Sequence, residues 1–97
     1  MLLARIKQLR EELNIQQRQM ADAIGVDAPM YSRIERGIRP FRDEHLASMG
    51  KILKIDKDEL RSLWTADKII NVTKDESDSV AQRALHLAKS EINTNPD

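Results

Sequence analysis

Four arginines, Arg33, Arg36, Arg39 and Arg42, follow one another at three-residue intervals within residues 28–42, where the only acid is Glu35. Guanidinium groups at that density suit phosphate or carboxylate, because each carries a permanent charge and a planar fork of N–H donors. A charge run alone is ordinarily solvated surface, so the arginines gain meaning only from what positions them. The other polar groups are less informative. His45 and His86 lie far apart with no partner at ligand spacing, so no metal site is expected. Ser32, Asp43 and His45 can be written as a triad, but their spacing does not support nucleophilic catalysis. The chain has no cysteine, which removes disulfides, thiolate zinc sites and thiol nucleophiles. No cofactor is implied and no enzymatic activity is expected.

The formal net charge is zero, yet the charge is unevenly placed. Residues 1–54 carry ten Lys and Arg against seven Asp and Glu, a net of +3, and residues 55–97 carry six against nine, a net of −3. A polyanionic partner needs a basic surface only where it touches, so the whole-chain balance does not exclude one. At 97 residues the chain suits one modest core, and with a single Phe, Trp and Tyr that core must be aliphatic. Three Gly and three Pro are too few for a many-turned β protein, so an all-α fold is expected. The first residues hold no apolar run of signal-peptide length, and no later segment suits a membrane span. A cytoplasmic location is the expectation.

Apolar spacing and end signals place the helices. Leu2, Ile6, Leu9 and Leu13 form one stripe over 2–13, and Asn14 suits the left-handed stop. A short helix follows over 17–24 with Met20, Ala21 and Ile24 inward, Gly25 at its end and Val26 plugging the turn. Asp27 is a fitting N-cap for a third helix, with Pro29 in the first turn, where a missing N–H costs nothing. Met30 or Tyr31, together with Ile34, point inward, and Gly37 and Pro40 end this helix. A fourth helix covers 43–54 with Leu46, Met49 and Leu53 inside. Asp56 and Glu59 read as a capping box opening a fifth, which runs to about Asn71. After an acidic stretch, a last amphipathic helix spans roughly 79–92, and Asn93–Asp97 reads as a frayed tail.

The stretch from Gln17 to Gly37 resembles the Cro/CI-like, or XRE, family of helix-turn-helix regulators. The matching residues are Leu9-Arg10, then Gln17-x-x-Met20-Ala21-x-x-Ile24-Gly25-Val26, then Ser32-Arg33-Ile34-Glu35-Arg36-Gly37. With Leu46, Leu53 and Leu60 the likeness spans about residues 2–64. It implies a five-helix, lambda-repressor-like domain over 1–64, and double-stranded DNA as partner. It further implies that Gln17 binds a phosphate and that Glu35 is a structural or phosphate-orienting acid. Base readers then fall at Ala28, Pro29, Ser32 and Arg33. Ala28 and Pro29 depart from the Gln, Arg or Ser common there; Pro29 donates no hydrogen bond and Ala28 offers only a methyl contact. Arg33 is therefore the expected guanine reader, with Ser32 in support. Arg18, Arg36, Arg39 and Arg42 are expected on phosphates, which add affinity without sequence information.

Residues 65–97 form a helical extension beyond the minimal domain. Trp64, Ile69, Ile70, Val80, Ala84, Leu87 (or Ala88) and Ile92 need a covering surface. Two readings stand: the last helix folds back to enlarge the core, or it forms a homodimer interface, as palindromic half-sites would require. The leading functional expectation is a dimeric repressor. The segment Leu63-Trp64-x-Ala66-Asp67-Lys68-Ile69 also resembles regulators encoded beside DNA methyltransferases, which would make it a restriction–modification controller. The alternatives are an antitoxin whose last helix caps a toxin, and an interaction module that kept the fold.

Overall fold

A computed structural model describes residues 1–94 and contains six α-helices among them, with no strands. They are α1 (Leu2–Glu12), α2 (Gln17–Ile24), α3 (Ala28–Glu35), α4 (Asp43–Leu53), α5 (Lys57–Thr73) and α6 (Asp78–Thr94). The chain divides into two compact units, Met1–Asp67 and a second beginning at Lys68.

The first unit follows from its punctuation. Asn14 adopts the expected left-handed conformation (φ 56°), and Gly25 ends α2 at φ 76°. Asp27 caps α3, its Oδ1 accepting from the Met30 amide at 2.7 Å. Asp56 Oδ1 accepts from the Asp58 amide at 3.1 Å, whereas Glu59, expected to complete a capping box, pairs with Arg5 at 3.9 Å. The start of α1 is capped from across the unit, where the Leu2 amide donates to Asp67 Oδ2 of α5 at 3.0 Å.

Leu2, Ile6, Met20, Ala21, Tyr31, Ile34, Phe41, Leu46, Met49, Leu53 and Leu60 make the core, with Leu9, Ile24, Val26, Leu63 and Trp64 packed at its edge. Leu13 departs from the expected stripe: α1 has ended, and the residue is 37% exposed. Sequence patterning also gave Gly50 no role inside α4. A β-carbon there would lie 2.9 Å from the Ile55 carbonyl oxygen, so this glycine lets the α4–α5 connection close against the helix.

The second unit is helical and has no buried residue among those described. Ile69, Ile70 and Val72 are exposed on the last turns of α5, as are Val80, Ala84, Leu87 and Ile92 on α6. Asn93 and Thr94 belong to α6 and not to a frayed tail; the remainder of that expected tail, 95–97, lies outside the described residues. No helix among the described residues is long and apolar enough to cross a membrane.

Candidate nucleic-acid interface

Helices α2 and α3, joined by the turn at Gly25 and Val26, present the candidate surface. Packing one side of α3 inward through Tyr31 and Ile34 turns Pro29 and Arg33 outward, with Ala28 and Ser32 half-exposed beside them. Gln17 and Arg18 occupy the first turn of α2, where helix amides lack intrahelical partners and the dipole favours an anion. Residues 36–39 are tied to α3 by their backbone. The Ile38 and Arg39 amides both donate to the Arg33 carbonyl, at 2.9 and 3.3 Å. Arg36 bends back, its Nε donating to the Ser32 carbonyl at 3.3 Å, and Arg42 stands 4.0 Å from Glu44 with both side chains well exposed. Among the described residues Arg18, Arg33 and Arg39 enter no ion pair with a carboxylate.

The electrostatics of this surface depend on Glu35, whose side chain is 3% exposed. Arg10 grips it with two bonds, Nε to Oε2 at 3.0 Å and Nη2 to Oε1 at 2.8 Å, and a third guanidinium nitrogen donates to the Ile15 carbonyl at 3.1 Å. The Tyr31 hydroxyl donates to Oε2 at 2.6 Å, and Gln17 Nε2 donates to Oε1 at 3.3 Å. Burial pushes the Glu35 carboxyl up, but the bonds from Arg10, Tyr31 and Gln17 outweigh it and hold the group below its ordinary value. Burial, and next the hydrogen bond to Glu35, push the Tyr31 phenol far above its ordinary range. The single acid among residues 28–42 is thus consumed inside the protein, and it leaves Arg33 and Arg39 without a carboxylate partner among the described residues. The same carboxylate fixes one end of Gln17, leaving that side chain half-exposed at the mouth of α2.

The apolar stripe of α1 gives no sign of this pairing, because Arg10 lies outside it. The available signal was the i, i+4 spacing of Tyr31 and Glu35, which puts an acid on the buried face of α3 and so demands a cation from another helix. His45 is buried, its Nδ1 accepting from the Arg42 amide at 3.3 Å at the start of α4. No cluster of three metal-ligating side chains exists among the described residues.

A helix-turn-helix family model matches residues 6–60, more than half of the chain, from within α1 to the first turn of α5. No curated protein and no solved structure matches the chain. With the helix-turn-helix geometry and the family match together, the chain belongs to the XRE family of helix-turn-helix proteins and is a DNA-binding transcription regulator of that type.

Proposed function

We infer that the protein is a homodimeric repressor that binds a two-fold operator and occludes a promoter. Each copy lays α3 in a major groove. Arg33 makes the bidentate contact to a guanine, Ser32 supports it, and Ala28 and Pro29 make only apolar contact at the groove. Gln17, Arg18, Arg36, Arg39 and Arg42 hold the flanking phosphates, and the exposed apolar residues from Ile69 onward supply the contact between copies, Trp64 being packed at the core edge. The observation that carries this reading is the sequestration of Glu35 by Arg10 beneath α3, which keeps that carboxylate from neutralising Arg33 and Arg39. The exposed apolar side chains of 69–92 support a partner for the extension. A restriction–modification controller would act through the same contacts. An antitoxin would use the extension on a toxin instead of a second copy, and co-purification with a neighbour-encoded protein in a stable 1:1 complex would favour it.

Selection from random duplex, followed by binding assays on the selected site, tests the reading. Arg33→Ala is expected to cost ~1–3 kcal/mol on the selected site and much less on random DNA. Equal losses on both would reassign Arg33 to a phosphate. Failure of the wild type to bind any duplex at low salt would sink the DNA reading altogether.

A further inference from the structure

The apolar residues of α6 form two rows. Ala81, Leu85, Ala88 and Ile92 recur at spacings of four, three and four, within about 40° of one direction on a 3.6-residue helix. Val80, Ala84 and Leu87 form the neighbouring row, which continues into Glu91 and is therefore not apolar throughout. None of these residues is buried; Leu85 is 47% and Ile92 70% exposed. A 17-residue helix that buries no face is marginal in water, because helical stability in proteins comes chiefly from packing such a face.

We propose that the row Ala81–Leu85–Ala88–Ile92 is covered by the same row of a second copy, with the two α6 helices antiparallel. This rests on the homodimeric reading above and specifies its contact. Setting Leu85 opposite the partner's Ala88 places Ile92 opposite the partner's Ala81. Each of the four resulting layers then pairs one large side chain with one small one, the arrangement that fills a helix–helix seam without voids. A parallel pair would instead stack Ala81 on Ala81 and Ala88 on Ala88, with gaps between bulkier layers of Leu85 and Ile92.

The helix dipoles oppose one another when the helices run antiparallel, which favours the same orientation.

The chain contains no cysteine, so introduced thiols report cleanly. Ala81→Cys and Ile92→Cys are prepared in the full chain and oxidised separately and as a mixture, with sedimentation run on the reduced proteins. Dimers and a heterodimeric disulfide in the mixture, at least about tenfold over either variant alone, are expected. In this register two copies of residue 81 lie about 16 Å apart, beyond disulfide reach. Leu85→Lys should make the protein monomeric, with any loss of helical content confined to the share that α6 contributes. Equal cross-linking of each variant alone would mean a parallel pair, and a dimer without cross-links would place the contact elsewhere. A monomer would assign the row to another protein. Any of these overturns the proposal, while the Arg33 assay judges DNA binding independently.

Discussion

Arg10 and Glu35 are worth more as a pair than either is alone, because deleting one leaves the other charged and desolvated. Arg10→Met is expected to lower unfolding stability by ~3–5 kcal/mol, measured by urea titration. A loss under ~1 kcal/mol would mean that the pair behaves as a surface contact. The depressed carboxyl of Glu35 also shapes the acid limb. Its contribution is complete above the ordinary carboxylate value of 4.5 and disappears as pH falls from there through the lower folded value, since protonation breaks the grip of Arg10. The raised phenol of Tyr31 acts in the opposite sense, with stability intact below its ordinary value of 10.0 and lost above it. In Glu35→Gln, the stability profile below pH 4.5 should be flatter than in the parent; an unchanged acid limb would place the responsible carboxylates elsewhere. At this scale the sequence was half legible. Asp27, Gly25 and Asn14 announced their roles because caps and turns use few residue types. The partner of Glu35 was hidden, since it lies 25 positions away and only tertiary packing brings it near.

Among the elements, the end of α4 is the most constrained. Lys54 sits in the left-handed region (φ 56°) with a β-carbon, and its amide and that of Ile55 close the helix onto Lys51 and Gly50. Lys54→Gly relieves that conformation and should raise stability by ~0.5–1 kcal/mol. Gly50→Ala tests the adjacent close approach. Helix propensity alone would make it a gain of ~1 kcal/mol, but the added methyl would sit 2.9 Å from a backbone oxygen that cannot move cheaply. Net destabilisation in thermal melts is the expected outcome, and a higher Tm would show that the connection shifts freely. The helices themselves were readable to within a residue or two from 3.6-residue spacing. On α6 the row through Ala81 and Leu85 gives a weak sequence signal, because alanines carry little hydrophobicity.

For the whole molecule, the uneven charge matters more than its zero sum. If Gln17, Arg18, Arg36, Arg39 and Arg42 face phosphates, log affinity should fall linearly with log salt, and replacing a cationic contact with Ala should reduce that slope by about 0.9. Arg18→Ala and Arg39→Ala are the clearest tests, and an unchanged slope for either would remove that residue from the contact. The division after Asp67 falls inside α5, which runs through it without a break in helical pattern. The backbone at the end of α3 has one more consequence. Because the Arg33 carbonyl receives the amides of both Ile38 and Arg39, the proposed guanine reader and the proposed phosphate anchor share a single rigid mount. Such a mount works as a calliper. A duplex whose groove sets base edge and phosphate at another span loses one contact or the other, so the protein would discriminate among sequences by their groove dimensions at base pairs it never touches.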